Sequence, residues 1–110
     1  MTGSTPLGDV LSDLFTTIES RKGASAESSY TASLLQAGAE QCAKKFGEEA
    51  VEAALAGAKG DKAALTAEAA DALYHLLVLM AAAGVSPDDV AGALKQRQGV
   101  SGHEEKASRQ

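Results

Sequence analysis

The run from Ala72 to Val85 is the longest apolar stretch in the chain, interrupted only by His75, and it sets the terms for the fold. It is shorter than the roughly 20 residues that span a bilayer, so it reads as a buried core helix and no membrane association is expected. A helix apolar on every side needs other helices around it. The remaining apolar content is mostly Ala, Leu and Val, with two Phe, two Tyr and no Trp, which favours closely packed helices over a sheet rich in aromatic and β-branched residues. At 110 residues there is room for one domain. A chain this short leaves apolar surface for a second copy to cover, so the expected architecture is all-α: four to five helices in an antiparallel bundle completed by homodimerisation.

Local signals divide the chain accordingly. Leu7, Leu11, Leu14 and Ile18 recur at helical spacing, and Arg21-Lys22-Gly23 stops that helix. After a small, polar loop from Ala24 to Ser29, a short helix from Tyr30 to Ala37 is closed by Gly38. A third helix spans Ala39 to about Ala58, with Ala43, Phe46, Ala50, Ala53 and Ala54 as its expected apolar stripe. Gly47 within it costs about 1 kcal/mol relative to Ala, which points to close approach of another backbone or a ligand. Asp61 or Thr66 caps a fourth helix that Gly84 ends. Ser86-Pro87-Asp88-Asp89 starts a fifth, expected to reach about Gln96. The domain is thus residues 1–96, with 97–110 as a C-terminal tail lacking apolar periodicity.

Fifteen acidic residues against ten basic ones give a net charge of −5, which argues against nucleic acid as a partner. Cys42 is the sole cysteine, so no internal disulfide forms, and no Cys/His cluster has zinc spacing. Its helical context makes it a small packing residue. The segment Met1 to Asp9 lacks the basic start and apolar run of a signal peptide, so a cytoplasmic location is expected.

The chemistry lies in two acidic pairs. Glu48-Glu49-Ala50-Val51-Glu52 falls on the third helix and Glu68-Ala69-Ala70-Asp71 on the fourth. At about 100° per residue, Glu49 and Glu52 lie within roughly 60° of each other, as do Glu68 and Asp71. Helices joined by a short turn pack as antiparallel neighbours, so the four carboxylates can converge in one groove. Their repulsion there calls for a hard divalent cation, and an all-oxygen ligand set selects Mg²⁺ or Mn²⁺ over zinc or copper. The plainer reading is a solvated acidic face. Against it, Glu68 and Asp71 sit in the otherwise apolar Ala67 to Ala83, without the Lys or Arg at i+4 that a solvated face mixes in.

His75 shares a stripe with Glu68 and Asp71 and either orients a carboxylate, touches substrate, or packs as a satisfied core histidine. Tyr74 reads as core. Lys44 reads as a plain ion-pair partner. Lys45, an i, i+4 step before Glu49, reads as an ammonium placed beside phosphate groups that the carboxylates alone would repel.

At these residues the sequence resembles the phosphoribosyl-ATP pyrophosphohydrolase family, within the all-α MazG-type nucleotide pyrophosphohydrolases. The matching blocks are Ser29-Tyr30-Thr31, Lys45 to Glu52, Glu68 to His75, and Ser101-Gly102 with Glu105 to Arg109. The resemblance implies hydrolysis of phosphoribosyl-ATP to phosphoribosyl-AMP and pyrophosphate, the second step of histidine biosynthesis, with Mg²⁺ required. It implies that Glu49, Glu52, Glu68 and Asp71 hold the metal, and that Glu48 is a base or a further ligand. Arg21, Tyr30, Thr31, Lys45, His75, Lys106 and Arg109 would face the substrate, and the stretch from Ser101 to Arg109 would close over it. Three other readings stand beside this one. Relatives in the superfamily cleave other nucleoside triphosphates, a di-iron bundle would need Glu-x-x-His spacing that this chain lacks, and a non-catalytic dimerisation module would use its acids only for solubility.

Overall fold

A computed structural model describes residues 5–99. Five helices follow in order: α1 (Leu7–Ser20), α2 (Tyr30–Ala37), α3 (Ala39–Ala58), α4 (Lys62–Ala83) and α5 (Pro87–Gln98). Among the described residues there is no strand, and the all-α expectation holds.

The helix boundaries follow from side chains that compete with or complete the backbone. Ser29 accepts a hydrogen bond from the Ala32 amide and opens α2, and Asp61 accepts from the Ala64 amide and opens α4. Of the two caps expected for α4, Asp61 is the one used; the Thr66 hydroxyl instead donates to the Lys62 carbonyl within the helix. Gly84 ends α4 in the left-handed region at φ 78°, where a Cβ would be strained. Ser86 and Asp89 then form a reciprocal capping box with Pro87 in the first turn of α5. Lys95 and Arg97 fall in that helix's last turn, where their charge favours the negative dipole end, and α5 runs on to Gln98. The helix therefore continues two residues past its expected end near Gln96.

Helix α4 is the axis of the molecule. It packs chiefly against α3 and touches α1 and α2 as well. By length and composition it is apolar enough to cross a membrane. Here it supplies Leu77, Val78, Met80 and Ala81 to a core that Ile18, Leu34 and Cys42 complete. Burial of such side chains stabilises by roughly 1.5–3 kcal/mol each, which is enough to dock three helices on α4. Cys42 is fully enclosed and donates to the Leu34 carbonyl at 3.2 Å, in keeping with a packing role. The expected stripe on α3 needs correcting. Phe46, Ala50 and Ala53 are half-buried as expected, but Ala43 and Ala54 are exposed whereas Cys42 and Ala56 are buried, so the centre of the inward face is turned by somewhat less than one residue. An alanine-rich helix offers little apolar contrast to fix that angle. The Gly47 expectation also fails on the protein side: a Cβ there would meet nothing within 4 Å.

Candidate metal centre and active site

Because α3 and α4 are joined by the short turn at 59–61, they run antiparallel, and Leu65 reaches back to within 3.6 Å of a Cβ placed at Gly57. Continuing that pairing away from the turn brings Glu52 level with Glu68 and Glu49 level with Asp71. The rotation of α3 that buries Cys42 and Ala56 also turns Glu49 inward, where it is half-buried.

Glu49, Glu68 and Asp71 each offer a carboxylate oxygen, and the three oxygens lie within 4.8 Å of one another. Like charges this close are unfavourable unless one is protonated or a cation is shared. Glu68 shows the strain most directly. Its Oε2 is buried without a hydrogen-bond partner, and its carboxyl is pushed above the ordinary range. A proton shared with Glu52 is the main cause, followed by desolvation and the charges of Glu52, Glu49 and Asp71. Two ionised carboxylates have no donor to give each other, so the orphaned oxygen and the raised affinity for a proton have one origin. The same site that draws a proton would draw a hard cation. An all-oxygen set with a desolvated, unpartnered acceptor fits Mg²⁺ or Mn²⁺, and the residues present accommodate the group.

Glu52 is exposed and stands at the edge of this cluster. With Glu68 it lines an open cavity of about 310 Å³ whose other walls are Leu55, Ala56, Lys59, Asp61 and Ala64. Glu48 is exposed and paired with Lys45 at 3.4 Å, an i, i+3 contact in place of the expected step to Glu49. The Lys45 ammonium is held above its ordinary range by the nearby Tyr30 phenol first and then by Glu48 and Glu49, so it stays charged where it stands. Lys44 is exposed.

Helix α2 docks onto α4 through hydroxyl groups. The Tyr30 hydroxyl meets His75 Nε2 at 3.2 Å, and Thr31 Oγ1 shares a 2.5 Å hydrogen bond with the Tyr74 hydroxyl. His75 Nδ1 lies 2.8 Å from the Asp71 backbone oxygen. His75 thus touches the cluster through the backbone of Asp71 and not through a carboxylate. Tyr74, expected only as core, is half-buried and binds α2, and burial raises its phenol above the ordinary value. Two hydroxyl residues opening a short helix, and a Tyr-His pair inside an apolar helix, were the available signals, since buried polar groups need partners. Lys59, on the cavity wall, was likewise missed. Arg21 is exposed at the C-cap of α1, where its guanidinium donates to Ser20. Lys106, Arg109 and the proposed closure from Ser101 to Arg109 lie outside the described residues.

Comparison with known proteins bears directly on this geometry. The sequence profile of the phosphoribosyl-ATP pyrophosphohydrolase family matches residues 11–98. The chain belongs to that family. Similar proteins, each named phosphoribosyl-ATP pyrophosphatase, include one from Jannaschia sp., 60% identical over 99 residues that cover 90% of this chain and 97% of the relative. One from Paracoccus denitrificans is 57% identical over 109 residues, 99% of each chain. Another, from Ruegeria pomeroyi, is 57% identical over 100 residues, 91% of this chain and 95% of the relative. The matched span takes in both acidic pairs, Lys45, and the hydroxyl contacts between α2 and α4.

Proposed function

We propose that this chain hydrolyses phosphoribosyl-ATP to phosphoribosyl-AMP and pyrophosphate, the second step of histidine biosynthesis, with Mg²⁺ held by Glu49, Glu68 and Asp71 and bordered by Glu52. The observation that carries the reading is the convergence of three carboxylates from two helices around the unpartnered Glu68 oxygen, in a chain of this family. When bound, the cation would polarise phosphate oxygens and lower the pKa of a water. The protein's own residues supply the rest. Glu49, Glu68 and Asp71 fix the place of the phosphate chain by repelling it unless it arrives with the cation. Glu52, at the mouth of the cluster and open to solvent, accepts the proton lost by water as its oxygen attaches to the α-phosphorus and the bond to the bridging oxygen breaks. Glu48, drawn to Lys45, is the second candidate for that proton. The Lys45 ammonium takes up charge developing on the leaving pyrophosphate.

The working form is taken to be a cytoplasmic homodimer. Val51, Leu55 and Leu94 are exposed, and an apolar groove of about 450 Å³ runs between α1, α4 and α5, the kind of surface a second copy covers. Sedimentation at micromolar concentration tests this, and a monomer would remove it.

The activity is tested by following pyrophosphate release from phosphoribosyl-ATP with Mg²⁺, with EDTA, and with the Glu68→Gln variant. Release that needs the metal and falls at least about 100-fold in the variant supports the reading. No release from folded protein sinks it, and faster release from dUTP, dCTP or ATP reassigns the substrate.

A further inference from the structure

His75 is only 7% exposed, and both of its ring nitrogens are occupied. The Asp71 carbonyl can only accept, so Nδ1 must carry the hydrogen that faces it. In the neutral ring Nε2 is then an acceptor, and the Tyr30 hydroxyl donates to it. The ring is further fixed edge-on by Tyr74, with centroids 4.9 Å apart, and by Tyr30 at 6.1 Å, while the two tyrosine rings stack on each other at 6.4 Å. A histidine so enclosed has no atom left for a ligand. Tyr30 differs: it is 55% exposed and stands at the first residue of α2.

We propose that His75 is a positioning residue: by accepting the Tyr30 hydroxyl it fixes that half-exposed phenol beside Asp71 of the carboxylate cluster. The chain of contacts runs from the Asp71 carbonyl on α4 through His75 to Tyr30 at the first residue of α2. Helices α2 and α4 are thereby tied next to Asp71, one of the three converging carboxylates. The effect on turnover rests on the hydrolytic reading above; the tautomer and donor assignment at His75 do not.

The test combines kinetics and NMR on the full chain. Tyr30→Phe and His75→Phe each lower kcat/KM for phosphoribosyl-ATP about five- to tenfold, the worth of one hydrogen bond, with thermal unfolding confirming that both fold. The double variant is no worse than the weaker single one, because both delete the same bond. His75→Gln, which keeps a donor and an acceptor, recovers most of the loss. Long-range ¹⁵N spectra of the wild type show the Nδ1-protonated tautomer of His75, and Tyr30→Phe shifts the Nε2 resonance. Multiplicative losses in the double variant, or an Nε2-protonated ring, overturn the proposal. Should the wild type release no pyrophosphate at all, the functional reading falls, and the spectra still decide the His75 assignment.

Discussion

Glu49 and Asp71 bring carboxylate oxygens to within 4.8 Å of each other from different helices, with Glu68 completing the group. Folding alone does not favour such a contact, since Glu49 and Glu68 lose hydration and all three charges gain only repulsion from one another. The cluster is maintained by the packing of α3 on α4 beneath it, where Cys42, Ala56, Leu77 and Val78 are buried. If these carboxylates hold the metal as proposed, stability and function are opposed at this point, and that opposition can be measured.

In the metal-free protein Glu68 binds a proton more tightly folded than unfolded. A carboxyl with a raised folded-state pKa favours the folded state at low pH, and that advantage is lost as pH rises from the ordinary value of 4.5 through the raised one. Glu68→Gln removes the dependence. In EDTA, the melting temperature of the variant relative to wild type is expected to climb between about pH 4 and about pH 7. A difference that stays flat across that range would remove the idea that the cluster is strained without metal.

On the proposed reading, Mg²⁺ should reverse the balance. A ligand that binds only the folded state stabilises it by about 2.7 kcal/mol at one hundred times its Kd. For a domain of this size that raises Tm by more than 5 °C, as an order of magnitude. Wild type should show the rise, and Glu49→Gln and Asp71→Asn should not, because each removes one of the three converging oxygens. Equal rises in all three proteins would place the ion elsewhere.

Cys42 offers a test of the core. Its thiol is raised above the usual value by burial, so the thiolate that reacts with alkylating reagents is suppressed in the folded chain. Iodoacetamide at about pH 8 should modify the native protein far more slowly than the urea-unfolded one, by a factor of about 100 or more. Comparable rates would mean that α3 does not close over α2 and α4 as described.

Ser29 opens the helix that carries Tyr30 and Thr31. Ser29→Ala should cost about 1 kcal/mol in stability, read from chemical denaturation. Because α2 has only 8 residues and is held to α4 by the Tyr30 and Thr31 hydroxyls, fraying of its first turn should also raise KM. A variant with unchanged stability would show that the tertiary bonds alone hold α2 in place.

The helix ends were legible because Ser29, Asp61, Gly84 and Ser86-Pro87 act locally, each satisfying or ending a backbone hydrogen-bond series within a few residues. The carboxylate spacing was legible for the same reason, since i, i+3 places Glu68 and Asp71 on one face in any α-helix. The rotation of α3 was not, because Ala43 and Cys42 differ too little in hydrophobicity to say which faces in, and α4 decides it by contact. Nor was the pairing of Tyr30 with His75 or of Thr31 with Tyr74, which depends on how a short helix lands on a distant one. The choice of Glu48 as the partner of Lys45 over Glu49 had the same origin: once Glu49 turns inward toward α4, the exposed neighbour is the carboxylate left for the ammonium.

Lys45 is where these threads meet. Its ammonium is partly exposed, paired with Glu48 and raised by Tyr30, so it remains a cation at any pH at which the enzyme works. Lys45→Met keeps the length of the side chain and deletes the charge. If the ammonium stabilises negative charge that grows as pyrophosphate departs, kcat should fall by about 10- to 100-fold with a smaller change in KM. If it only attracts the substrate, KM should rise and kcat should hold. Steady-state kinetics at two salt concentrations separates the cases, because the effect of attraction at a distance fades with ionic strength while a contact in the transition state persists. A loss confined to KM and abolished by salt would reduce Lys45 to steering.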